Sequence, residues 1–158
     1  MIYNYEFFWG GDEPGSNFYP AKFTYKGINF VCSEQAYMWE KAIWFGDFEM
    51  AAKILILPTP GQHKKAGRLV KNFDDTLWSL VKEEVMYMVV LEKFRQNEEL
   101  KIGLLNTGDS ILVEDSPYDL VWGIGMRRFD VGVTDPNNWR GKNLLGNVLM
   151  KVRNKLSD

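Results

Sequence analysis

Between Asp75 and Gln96, the residues Leu77, Trp78, Val81, Val85, Met88, Val89, Glu92 and Phe94 recur with a helical period. This mainly apolar stripe predicts one long helix whose face the rest of the chain has to cover. The chain has 158 residues, 46% of them hydrophobic and 25% charged, an ordinary globular balance that fits one core better than two. There is no internal repeat, low-complexity tract or Gly/Ser-rich linker, so residues 1–158 are expected to form a single domain.

Shorter elements are set by their punctuation. Phe23 to Val31 alternates as a hairpin should, with Lys26-Gly27 at the turn. Ser33 is placed to cap a helix running to about Phe45, with Glu34 in its first turn and Gly46 stopping it. A helix from Asp47 ends before Pro58, and Pro60 opens another through Val70. Beyond the long helix, Glu99 to Leu105 predicts a short helix, Ser110 to Glu114 a strand, and Lys142 to Leu156 a closing amphipathic helix. The expected class is α+β, mainly helical with a small β-sheet.

Charge and cysteine use narrow the functions. A net charge of −2 and a pI near 5.5 argue against a broad nucleic-acid footprint, which makes a domain strongly basic. Two local basic clusters stand out, Lys64, Lys65, Arg68 and Lys71, and Arg127, Arg128, Arg140 and Lys142; such clusters are more often solvated faces than phosphate sites. The first residues lack the basic and apolar regions of a signal peptide, and no apolar run approaches the roughly 18 residues of a membrane span. With a single cysteine, Cys32, no internal disulfide framework is possible, and a cytoplasmic setting without membrane attachment is expected.

Three groupings bear on chemistry. On the helix from Ser33, Glu34, Met38 and Lys41 share a face, because four residues make about one turn and seven about two. In a pocket, Glu34 would orient a sugar or its attacking water, and Lys41 would bind phosphate or, desolvated, react as an amine. The bland reading is an ordinary exposed charge pair. The stretch Glu114 to Gly125 combines carboxylates, an indole and two glycines after a strand. Asp119 there would stabilise an oxocarbenium ion or activate water and Trp122 would stack on a base; the alternative is a turn-capping Asp beside a buried Trp. Gly61 to Gly67 departs from the phosphate-loop spacing, and Cys32 reads as a core thiol with nothing in the sequence placing it beside His63. With one His and one Cys, no metal site and no cofactor is expected.

Several blocks in order carry a family likeness. Ser16-Asn17-Phe18-Tyr19-Pro20, Ser33-Glu34-Gln35-Ala36-Tyr37 with Lys41-Ala42, and Lys93 to Asn97 are followed by Leu104 to Asp109, Glu114, Asp119 to Gly125 and Asn143 to Arg153. Together they resemble the NADAR (YbiA-like) superfamily over nearly the whole chain. Many relatives carry Glu-His where this chain has Glu34-Gln35. The resemblance implies an N-glycosidase that cuts between ribose C1 and a nitrogen. It points to two substrates: phosphorylated ribosylamino-pyrimidine intermediates of riboflavin synthesis, and ADP-ribosylated guanine, with nucleic acid as its carrier.

Catalytic residues are then expected at Glu34, Lys41 and Asp119, and substrate contacts at Ser16, Asn17, Phe18, Arg68, Glu114, Trp122, Gly123 and Asn143. Such a reaction builds positive charge at C1 and negative charge on the departing nitrogen, so it needs an anion near the ring and a proton donor at the base. A non-catalytic ADP-ribose or nucleotide-binding module is the alternative, with less need for three ionisable groups in the matched motifs; a pure interaction protein is a third, and predicts no nucleotide-dependent thermal shift. Oligomeric state is not legible in the sequence.

Overall fold

The computed structural model describes residues 3–158. Its elements, in chain order, are β1 (Tyr5–Phe8), β2 (Phe23–Tyr25), β3 (Ile28–Phe30), α1 (Ser33–Trp44), α2 (Phe48–Ile56), α3 (Pro60–Gly67), α4 (Asp75–Arg95), α5 (Glu98–Asn106), β4 (Ile111–Glu114) and α6 (Leu144–Ser157). One turn of 3-10 helix covers Pro136–Asn138. The α+β, mainly helical class holds, with the strands divided into two two-stranded sheets. No helix among the described residues is long and apolar enough to cross a membrane. The chain divides into two compact units, one of Asn17–Asn97 and one of Met1–Ser16 with Glu98–Asp158.

The contiguous unit is a helical cluster on a hairpin. β2 and β3 pair antiparallel through Lys26-Gly27, whose φ angles of 51° and 77° give the two-residue turn its left-handed backbone. Phe23, Tyr25 and Phe30 are buried with Trp39, which sends its ring to 5.6 Å from Phe30. α1 packs against α2, α3 and α4. Asp47 and Thr59 cap α2 and α3, Thr59 reciprocally with Gln62, and Asp74 caps α4.

Two expectations are corrected here. Ser33 does not cap α1: Cys32 occupies the cap position, and the Ser33 hydroxyl donates to Asn17 Oδ1 at 2.9 Å. The buried side of α4 is Trp78, Val85, Met86, Val89, Val90, Lys93 and Phe94, while Leu77 and Met88 are exposed. The helix is enclosed over a wider arc than a single stripe, so Met86 and Val90 replace them in the core.

In the discontinuous unit, β1 lies parallel to β4 with Tyr5 opposite Ile111 and Phe8 opposite Glu114. Tyr5, Phe7, Ile111 and Trp139 pack over a buried cluster of Val113, Ile124, Met126 and Val133. On its other edge, β4 is completed by a side chain. Asn143, buried and left-handed at φ 52°, accepts from Glu114 N–H at 3.0 Å and donates to Leu112 C=O at 2.9 Å. Its amide thus satisfies strand groups that would otherwise be orphaned. α6 follows directly and comes so close that a Cβ on Gly146 would lie 2.1 Å from the Leu112 carbonyl oxygen.

Candidate functional site

The first turn of α1 is fixed by the segment before the hairpin. Asn17 C=O accepts the Glu34 N–H at 3.0 Å, one of the donors that a helix start leaves unpaired, while Asn17 Oδ1 takes the Ser33 hydroxyl. Gln35 is spent on structure as well. Its Oε1 accepts from Val31 N–H at 2.9 Å and its Nε2 donates to Ile54 C=O at 3.1 Å, tying α1 to β3 and α2. Gln35 is therefore a brace in this chain.

With that turn held, Glu34 is buried and Lys41 half-buried. Lys41 Nζ donates to Gly67 C=O at 2.8 Å and sits 4.3 Å from the centre of the Phe73 ring. Burial, above all, holds its pKa below that of an ordinary lysine; Glu34 and Asp75 pull it back up, and Arg68 pushes it further down. Glu34 and Arg68, both expected from the sequence, thus act on Lys41, together with Asp75, which the sequence did not single out. Arg68 is exposed at the end of α3. Phe18 is partly buried, with Lys64 Nζ 5.8 Å from its ring centre.

Two further residues of this unit escape a reading by spacing. Lys93 is 1% exposed, and burial drives its pKa down to about 7. It belonged to a family-like block, but nothing in the sequence marks a lysine of α4 as enclosed. Cys32 and His63, 31 positions apart, meet at 3.6 Å.

In the discontinuous unit, the segment after β4 is a loop built on its own side chains. Ser116 Oγ accepts the N–H groups of Tyr118 and Asp119, each at 3.3 Å. Asp119 Oδ1 accepts those of Val121 and Trp122, each at 2.8 Å. Asp119 thus performs the turn-capping role. The loop then runs beside residues 140–145, with Gly123 C=O accepting from Asn143 N–H and Trp122 C=O from Leu145 N–H. Gly141 permits this approach, since a Cβ there would lie 2.2 Å from Gly123 O. Glu114 ends β4, its C=O accepting from Ile124 N–H, and Ser16 is buried, its N–H on Glu13 C=O. Asn143, expected to contact substrate, has both ends of its amide on β4.

The chain resembles known proteins in sequence and in fold. The family model described as NADAR domain matches residues 7–157. The chain belongs to the NADAR domain family. Among NADAR relatives, N-glycosidase R617 of Acanthamoeba polyphaga mimivirus is 41% identical over 124 residues, 78% of this chain and 73% of that protein. Riboflavin biosynthesis protein VVA0006 of Vibrio vulnificus is 34% identical over 143 residues, 90% of this chain but 35% of that protein. The NMR structure of YbiA from E. coli matches with a TM-score of 0.81 at 28% identity, covering 99% of this chain and 87% of that one. The YbiA-like fold expected from the motifs is therefore the fold of this NADAR chain.

Proposed function

We propose that this NADAR-family N-glycosidase hydrolyses the bond between ribose C1 and a nitrogen of a ribosyl nucleotide. The substrates we consider are a phosphorylated ribosylamino-pyrimidine intermediate of riboflavin biosynthesis and ADP-ribosylated guanine carried on nucleic acid. The observation that carries this reading is the Glu34–Lys41 pair, a buried carboxylate acting on a lysine whose pKa burial has lowered.

As the C1–N bond breaks, positive charge grows at C1 and negative charge on the departing nitrogen. Glu34, ionised, stabilises the first and orients a water. Lys41, as the ammonium, donates a proton to the nitrogen, and its lowered pKa makes it a stronger acid at neutral pH than an exposed lysine. Water adds to C1 and passes its proton to Glu34, giving ribose with a free hydroxyl and the released base. Arg68, exposed and near enough to act on Lys41, suits a phosphate oxygen.

The same depression of the Lys41 pKa favours a second reading, in which the free amine displaces the base at C1 and water then hydrolyses the adduct. Intact-protein mass spectrometry during turnover separates the two, since only the second adds the mass of the sugar moiety to the chain.

The test is to incubate the protein with ADP-ribosylated-guanine DNA and, separately, with the ribosylamino-pyrimidine phosphate, and follow released ribose species by mass spectrometry. Release from one substrate, lost in Lys41→Met and Glu34→Gln, supports the reading and names the substrate. Binding without release from either would favour a nucleotide-binding module.

A further inference from the structure

β1 and β4 run parallel and in register, so their carboxyl ends, Phe8 and Glu114, lie side by side and the loops that follow leave from the same edge. In open α/β sheets, ligands bind outside the carboxyl ends of the strands at a topological switch point, and this two-stranded pair offers an edge of the same polarity. Each loop puts an aromatic ring into solvent there. Trp9 is 41% exposed and Tyr118 77%, and their ring centres are 6.0 Å apart at 60°.

The backbone under both rings is firmly tied. Trp9 N–H donates to Glu13 Oε2 at 2.5 Å, and the Glu13 carboxylate is gripped at both oxygens by Arg128 Nη1 and Nη2, at 3.1 and 2.8 Å. Arg128 also donates from its backbone N–H and Nε to Asp115 Oδ2, at 3.0 and 2.7 Å. Tyr118 N–H rests on Ser116 Oγ, next to the Asp119 turn. A guanidinium shared between two carboxylates adds little to stability for the desolvation it costs, but it fixes two loops with little freedom left. Exposed rings held this way lose little entropy when a ligand stacks on them.

We infer that Trp9 and Tyr118 form a stacking platform for a planar nucleobase, so that this edge binds a nucleotide through its base. The inference rests on the reading above that the substrate is a ribosyl nucleotide.

The experiment compares adenosine 5′-monophosphate with ribose 5-phosphate, which carries a hydroxyl at C1 in place of the base, by calorimetry on wild type, Trp9→Ala, Tyr118→Ala and Tyr118→Trp. Stacking of one base on an aromatic side chain predicts that the nucleotide binds wild type more tightly and that each alanine variant weakens it about fivefold to hundredfold. Ribose 5-phosphate binding stays constant across all four proteins, and Tyr118→Trp keeps nucleotide affinity. Tyr118 is so exposed that its variants are expected to melt with wild type, which covers the case of a misfolded Trp9→Ala. The inference is overturned if wild type binds the two probes equally or binds neither, or if the alanine variants weaken both alike. Turnover of the two nucleotide substrates is measured in parallel. Hydrolysis without base-dependent binding at this edge removes the platform and keeps the glycosidase; base-dependent binding without hydrolysis does the reverse.

Discussion

Cys32 Sγ lies 3.6 Å from His63 Nδ1, and the other ring nitrogen, Nε2, is 2.6 Å from the Leu57 carbonyl oxygen. The carbonyl can only accept, so Nε2 carries the proton and Nδ1 is left to accept from the thiol. Burial pushes the Cys32 thiol up to about 11 and the His63 ring below its usual value, so both stay neutral. This is the reverse of an activated thiolate beside an imidazolium. Turnover by Cys32→Ser is expected to match wild type, and a thiol reagent to label Cys32 only under denaturing conditions. Rapid labelling of the folded protein would contradict this. Because the folded His63 pKa is depressed, its contribution to stability is complete above the unfolded value near 6.5 and is lost as pH falls below that, through the folded value; melting at pH 5 and pH 7 with His63→Gln measures it.

Lys41 gives a pH signature. In the acid role the ammonium is needed, so kcat holds at lower pH and falls as pH rises through the Lys41 pKa, which lies below 10.5. Asp75→Asn removes a neighbour that raises this pKa and moves the alkaline limb to lower pH; Arg68→Gln removes one that lowers it and moves the limb up. Lys41→Met loses about 10²–10⁴-fold in kcat, the usual worth of a positioned proton donor. A rate that climbs with pH would assign the free amine instead.

Asp119 separates scaffold from chemistry. Its Oδ1 holds two backbone N–H groups, and an asparagine keeps that acceptor. Asp119→Asn is expected to melt like wild type, whereas Asp119→Ala loses about 1–3 kcal/mol with both donors left unmet. Turnover retained in the Asn variant would make the residue a turn cap alone; turnover lost with melting unchanged would show that the charge itself is needed.

Gly146 and Gly67 offer a paired test of packing. An added Cβ at Gly146 meets the Leu112 carbonyl oxygen of β4, which cannot move without disturbing the strand; at Gly67 it meets Met38 Sδ at 2.0 Å and Cγ at 2.8 Å, flexible side-chain atoms that can swing away by a change of rotamer. Gly146→Ala is expected to lose about 3 kcal/mol or more, and Gly67→Ala to stay within about 1 kcal/mol of wild type, helped by alanine's helix propensity. Urea melts of the two proteins decide it.

The legible parts of the fold were those where one local signal suffices. Lys26-Gly27 announces the hairpin, Pro60 and Asp47 announce helix starts, and the seven-residue spacing of Glu34 and Lys41 announces a shared face. β1 left no such mark. Four residues, Tyr5–Phe8, with a charge in second place become a strand only through a partner 106 positions away. The same distance problem hid Cys32 from His63 and Trp9 from Tyr118. Ser33 misled for another reason: its hydroxyl had a better acceptor in Asn17 than the start of its own helix.

The parallel pairing of Tyr5–Phe8 with Ile111–Glu114 also sets an order of events at the ribosome. Residues 17–97 form a compact unit of consecutive residues and can collapse as they emerge. The first strand must wait, unpaired, until more than a hundred further residues have been synthesised, and its open backbone edge is meanwhile available to chaperones and to wrong partners.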